Sequence, residues 1–206
     1  MSEQVENTYH HGNLRDKILE RAAEIIGEDG IEALSLRRIA RDLGVSHGAP
    51  NRHFKSRAEL LAELGAEAWF RARTAVLQAA DDTGSDNPHI RLNAMGRGFL
   101  KWALNHGSLL AVIQHPDITR YVTSQLDIAM TDFRGLLQDT VIETQAAGRH
   151  PEVDSGLLAL YTNAVPYGLA TLMQDHRNAD LLSNDQQDQV IAELIELVVP
   201  IKQFER

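Results

Sequence analysis

The chain has 206 residues, no cysteine and 5% aromatic side chains. That excludes disulfides, thiolate metal sites and cysteine nucleophiles, and argues against a β-sandwich or barrel. The formal net charge of −9, taken whole, speaks against a nucleic-acid binder.

The apolar period is helical almost from end to end. Leu14, Ile18, Ala22, Ile25 and Ile26 form one stripe, and Gly30 reads as its stop. Leu36, Ile39, Ala40 and Leu43 form a second, with Ser35 as N-cap and Gly44 at the corner where a positive φ is needed. Ser46 caps a third helix over about 47–53, and Phe54 is expected under all three. Pro50, as the fourth helical residue, removes an intrahelical bond and biases Ala49 away from the α region, so this helix is short or begins late.

A long helix runs from Arg57 to about Ala80, and the DDTGSDNP stretch is a loop whose Pro88 opens the next helix, to about His106. Gly107 and Ser108 interrupt. A short helix over Leu109 to Gln114 follows, then a helical segment from Asp117 to Ala147 closed by Gly148. Pro151 opens another helix, which Pro166 kinks, and Ser183 with Gln186 matches a capping box before a last apolar helix over about 184–203. No stretch reads as a strand. No apolar run approaches the roughly 18 residues of a membrane span, and Met1 to His11 lack a signal-peptide core. A cytoplasmic protein without a membrane partner is the expectation.

The charge is unevenly spread. Residues 36–57 hold six cations (Arg37, Arg38, Arg41, Arg52, Lys55, Arg57) and one acid, Asp42, in an otherwise acidic chain. This island covers two short helices joined by the turn Leu43-Gly44-Val45-Ser46, the helix-turn-helix layout. An ordinary helical corner has no need of six cations, whereas a DNA-binding surface does.

Residues 10–64 resemble the DNA-binding domain of the tetracycline-repressor (TetR) family of transcriptional regulators. The resemblance rests on Ile18 to Gly30 (ILERAAEIIGEDG), Ser35 to Ala40 (SLRRIA), Leu43 to Ser46 (LGVS), His53 to Arg57 (HFKSR) and Glu59-Leu60. It implies an all-α homodimer of about nine helices per chain. Residues 1–58 would form a three-helix DNA-binding domain and 59–206 a larger helical ligand-binding and dimerisation domain. It also implies a recognition helix in the major groove of a palindromic double-stranded DNA operator, and release by a small-molecule effector.

On that reading base edges are met by His47, Gly48, Ala49 and Arg52, with Arg37 reaching in from the preceding helix. Phosphates are met by Ser35, Ser46, Asn51, His53, Lys55 and Arg57, and Arg38 joins the DNA-binding set as part of the basic island. Asn51 stands where the family usually has Tyr. His10, His11, Asn13 and Arg15 form a candidate minor-groove arm, with a plain solvated segment as the blander reading.

In the C-terminal part, Phe99, Trp102, His106, Tyr121, Phe133 and Tyr167 are the candidate ligand-pocket residues, because a pocket needs apolar walls with few polar groups. Ordinary core packing is the alternative for each. The last two helices are the expected dimer interface. No metal site, cofactor or catalytic residue is expected, since the chain has no G-x-S-x-G, P-loop, H-E-x-x-H or G-x-G-x-x-G motif. Two other readings compete: a regulator-like protein that has lost operator binding, and an all-α enzyme.

Overall fold

The computed structural model describes residues 3–174 and 187–200, with side chains from Leu14 onward except that of Thr119. Among these residues there are nine α-helices and no strand: α1 (Glu3–Asp29), α2 (Leu36–Asp42), α3 (Arg57–Asp81), α4 (Pro88–Asn105), α5 (Gly107–Gln114), α6 (Pro116–Arg120), α7 (Ser124–Ala146), α8 (Ser155–Gln174) and α9 (Gln187–Val198). Two 3-10 turns, Ile31–Ala33 and Pro50–Arg52, complete the described elements. The expected capping box at Ser183 and Gln186 lies outside the described residues. No described helix is long and apolar enough to cross a membrane.

The chain divides into two compact units. One comprises Met1–Ala68 with Gly107–Ile128, the other Trp69–His106 with Ala129–Arg206. A boundary at residue 58 falls at the start of α3, which carries on to supply the first unit with Leu60, Leu61 and Leu64.

The first unit is built on the stripes read from the sequence. Ile18, Ala22, Ile25 and Ile26 of α1, Ile39 and Ala40 of α2, and Leu60, Leu61 and Leu64 of α3 are all buried. Phe54 is 1% exposed, and burying a ring of that size is worth about 1.5–3 kcal/mol. Arg15 lies over it, its guanidinium carbon 5.7 Å from the ring centroid, and pairs with Glu63 at 2.5 Å. Arg15 is thereby held against its own unit.

The corner after α2 is a Schellman motif. Gly44 has φ +66°, its N–H donates to the Arg41 carbonyl at 3.1 Å, and the Val45 N–H donates to the Ala40 carbonyl at 3.0 Å. Gly148 repeats the device after α7, with φ +101° and the Arg149 N–H donating to the Thr144 carbonyl at 2.9 Å.

The second unit is organised on α4. Leu92, Met95, Phe99, Leu100, Trp102 and Ala103 are buried, and α8 and α9 pack against this helix. Gly98 lets α3 approach α4 closely: a Cβ there would stand 2.6 Å from Ala79 Cβ and 3.0 Å from the Ala75 carbonyl oxygen. Helix α8 runs on through buried Pro166, which has no N–H to donate to the Thr162 carbonyl one turn back.

Arg149 is 2% exposed. It has no carboxylate partner among the described residues. Its guanidinium instead donates to the Val198 carbonyl at 3.1 Å and to Thr162 Oγ1 at 3.4 Å, which ties the end of α7 to α8 and α9. Burial lowers its pKa.

Candidate nucleic-acid interface and interior cavities

The segment after the Gly44 corner is not the α-helix expected over 47–53. Residues 47–49 form a turn that runs into the 3-10 turn Pro50–Arg52. The cause is Pro50. Without an N–H it cannot donate back to the Ser46 carbonyl, so that carbonyl accepts from the Ala49 N–H at 2.9 Å, an i→i+3 bond. Only the Phe54 N–H, 2.9 Å from the Pro50 carbonyl, closes an α-type turn. Ala49 nonetheless holds αR dihedrals, φ −63° and ψ −47°, against the bias that a following proline imposes. Buried Pro50 and Phe54 anchor the segment, leaving its other side in solvent.

That outer side carries Ser46, His47, Gly48, Asn51, Arg52 and Lys55, all exposed. Arg37 is exposed on α2. The side chains of Arg37, His47, Asn51 and Arg52 and the Lys55 ammonium make no hydrogen bond or ion pair with any described residue. Gly48 lacks a positive φ and has open space where a Cβ would stand. Its small size therefore answers no demand of its own unit.

Two of the expected DNA-binding arginines are engaged elsewhere. Arg38 pairs with Asp29 at 2.5 Å and stands 3.6 Å from Asp42 and 3.8 Å from Glu28. Arg57 donates through Nη2 to the Ile31 carbonyl at 2.8 Å and through Nε to the Leu34 carbonyl at 3.2 Å, with Glu32 3.4 Å away. Ser35 caps α2 by accepting from the Arg38 N–H at 3.1 Å. At the start of α3, Ser56 accepts from the Glu59 N–H at 3.1 Å and the Glu59 carboxylate accepts from the Lys55 N–H at 2.5 Å, which puts a negative charge where a phosphate was expected.

Arg21 braces the same unit from α1, bonding Glu24, Glu28 and Asp42. Burial pushes the Asp42 carboxyl up, but hydrogen bonds from Arg21 and Arg41 outweigh it and hold the pKa below its ordinary value.

On α6, His115 caps the helix by accepting from the Asp117 N–H through Nδ1 at 3.2 Å. That leaves Nε2 to carry the proton, 3.4 Å from Glu32.

In the second unit, five of the six expected pocket residues gather into one aromatic chain. Phe99 stands 5.8 Å from Trp102, 6.1 Å from Phe133 and 6.2 Å from Tyr167, and Trp102 stacks on His106 at 5.7 Å. Burial raises the Tyr167 pKa. Tyr121 does not join them. It caps α6 in the first unit and is 42% exposed. It belongs with residues 107–128 to the first unit.

Two cavities adjoin this cluster. A narrow one of about 30 Å³ is lined by Phe99, Phe133, Thr162 and Pro166 with aliphatic neighbours. A roomier one of about 330 Å³ is lined by Trp69, Met130, Phe133, Arg134, Leu137 and Asn163, among others. Trp69, which the sequence reading passed over, stands 5.0 Å from Phe133. Its place three residues before Ala72 and seven before Val76, both buried on the inner face of α3, was the available signal. His106 and Trp102 line neither cavity.

Comparison with known proteins agrees with these features. Residues 18–64 match the family model described as bacterial regulatory proteins, tetR family. The HTH-type transcriptional regulator Rv1816 of Mycobacterium tuberculosis is 32% identical over 105 residues, 51% of this chain and 45% of that protein. The chain thus spans about half the length of the curated relatives it matches. A solved protein of unknown function from Rhodococcus sp. RHA1 is 32% identical over 92% of this chain and 95% of its own, with a TM-score of 0.74. A bacterial regulatory protein in the tetR family from Rhodococcus RHA1 shares the fold at 21% identity and a TM-score of 0.70, over 90% of this chain and 95% of its own. With its helix-turn-helix corner, its all-helical fold and these relatives, the chain belongs to the tetR family of bacterial regulatory proteins.

Proposed function

We propose that this protein is a sequence-specific DNA-binding transcriptional regulator that acts as a homodimeric repressor. It would be released from a palindromic operator when a small molecule enters the second unit. The observation that carries the reading is the outer side of residues 46–55. Arg52 and Lys55, with Arg37 from α2, are cations whose side chains have no partner among the described residues, set beside an open backbone at Gly48. Unpaired cations on a protein of net charge −9 concentrate the attraction for phosphate at one place and repel DNA elsewhere.

The direct contacts fall to Arg37, His47, Gly48, Ala49 and Arg52 for base edges and to Ser46, Asn51, His53 and Lys55 for phosphates. Arg38 and Arg57, held by their own unit, act by positioning α2 and the start of α3. The dimer reading is supported by α8, where Leu157, Leu160, Tyr161 and Leu172 are 63%, 65%, 52% and 59% exposed, and by Leu197 on α9 at 80%. Such a helical face is covered by a second copy in a two-fold bundle, and two-fold symmetry calls for a palindrome. The enzyme reading has no support, since the curated relatives are HTH-type transcriptional regulators.

The test is selection of bound sequences from fragmented genomic DNA, followed by affinity against salt for the winner. A palindrome whose affinity falls steeply with salt supports the proposal. No enrichment over random DNA in ligand-stripped protein overturns it and leaves the regulator-like reading without operator binding.

A further inference from the structure

The roomier cavity in the second unit has a chemistry that the sign of the whole protein hides. The chain is acidic, and aromatic walls in an acidic protein suggest a cationic ligand. The lining says otherwise. Among the described residues no Asp or Glu lines this cavity, and its one charged residue is Arg134. The Arg134 guanidinium makes no ion pair or hydrogen bond with any described residue, which leaves its five donors to solvent or to a ligand. Trp69, from the facing helix α3, gives the cavity part of its ring wall, while its indole N–H is closed off from solvent-sized space. Asn163 and Gln138 add amides that donate or accept equally well. The remaining wall is apolar: Met130, Phe133, Leu137 and Leu160. A volume of about 330 Å³ sits at the small end of known ligand sites.

We propose that this cavity binds a small apolar or aromatic monocarboxylate, with its carboxylate on the Arg134 guanidinium. Its body lies against Phe133, Leu137 and the Trp69 ring. A cation is repelled by Arg134, and a neutral ligand forgoes the charge-assisted bond. The inference rests on the reading of the second unit as the effector-binding part and names the class of effector.

The test uses the whole purified chain and a matched pair of probes, 4-phenylbutyrate and 4-phenylbutanamide, which differ in charge and hardly in shape. Calorimetry should show the acid binding at least about tenfold more tightly than the amide. Arg134→Met should abolish that preference while the amide binds as before. Arg134 is exposed, so the variant folds. The indole N–H resonance of Trp69, identified by its loss in Trp69→Phe, should move on saturation with the acid. Absence of saturable binding by the acid, equal binding of the pair, or a preference that survives Arg134→Met overturns the proposal. If the acid binds with the expected preference while operator affinity stays unchanged, the cavity assignment stands and the effector reading fails.

Discussion

Arg57 reaches from the first turn of α3 to the Ile31 carbonyl, 2.8 Å from Nη2, across 26 residues of sequence. A second bond to the Leu34 carbonyl at 3.2 Å makes the guanidinium a clasp on the segment between α1 and α2. In sequence this arginine looks like a phosphate contact. In the fold, two of its donors already have acceptors. Arg57→Ala should lower the stability of the protein by about 1–3 kcal/mol, because two backbone carbonyls lose a charged donor. Urea unfolding followed by circular dichroism measures this. An unchanged midpoint would mean that water replaces the guanidinium at no cost and that Arg57 is free for DNA after all.

Gly48 offers a probe of the DNA surface that does not disturb the fold. With no positive φ and nothing within 4 Å of an added Cβ, Gly48→Ala should leave the unfolding midpoint within about 0.5 kcal/mol of wild type and still weaken operator binding. Arg37→Ala should relax base preference, at a cost of roughly 1–3 kcal/mol on the preferred site. Lys55→Ala should weaken all DNA alike and reduce the salt slope by about 1. Titrations at several salt concentrations against operator and random duplex separate the three patterns. An identical profile for all three variants would sink the contact assignment.

Two glycines distinguish rigid from yielding contacts. Alanine at Gly98 meets Ala79 Cβ at 2.6 Å and the Ala75 carbonyl at 3.0 Å, neither of which can rotate away. Gly98→Ala should therefore cost about 1–3 kcal/mol despite the better helix propensity of alanine. At Gly65 the obstacle is Ile118 Cδ1, the far end of a flexible side chain, so Gly65→Ala should cost clearly less. The order of the two unfolding midpoints decides it, and the reverse order would contradict the packing described for α3 and α4.

His89 gives the second unit a dependence on pH. It is 2% exposed. Burial lowers its pKa, the nearby Arg149 charge lowers it further, and a 3.3 Å bond to the Ala147 carbonyl opposes both. With the folded value below the unfolded one of about 6.5, protonation favours the unfolded chain. The contribution is intact above that unfolded value and is lost as pH falls from there toward the folded one. Thermal unfolding between pH 8 and pH 5 should show a falling midpoint, and His89→Gln should flatten the slope below the unfolded value of about 6.5. A slope unchanged by the substitution would assign it to other groups.

Leu197 is the most exposed large apolar side chain among the described residues, at 80%, and Leu172 stands at 59%. Leu172→Glu with Leu197→Glu should shift the protein from dimer to monomer in sedimentation and leave the monomer folded, since neither side chain supports its own core. A dimer that survives both substitutions would move the interface off α8 and α9.

The helical fold, the core stripes and the helix-turn-helix corner are legible in the order of the residues alone. Periodicity, capping residues and the positive-φ glycine at Gly44 are local signals, each read within a few residues of itself. Gly44 at φ +66° and Ser35 accepting from the Arg38 N–H are in the places that spacing assigned to them. Pro50 announced in sequence that the next helix would be short, and its missing N–H reduces that helix to a 3-10 turn.

Which charges and rings are committed to partners distant in the chain is settled by long-range packing. Arg38, Arg57 and Arg37 are alike in sequence. Carboxylates and carbonyls brought in by other segments occupy the first two and leave the third free. Tyr121 and Trp69 exchange roles for the same reason, since a pocket is made by helices that fold together and no local pattern records which ones do. The net charge of −9 likewise says nothing about a cavity whose one charged residue among the described ones is Arg134, because Coulomb attraction at contact distance depends on the nearest charges and not on their sum.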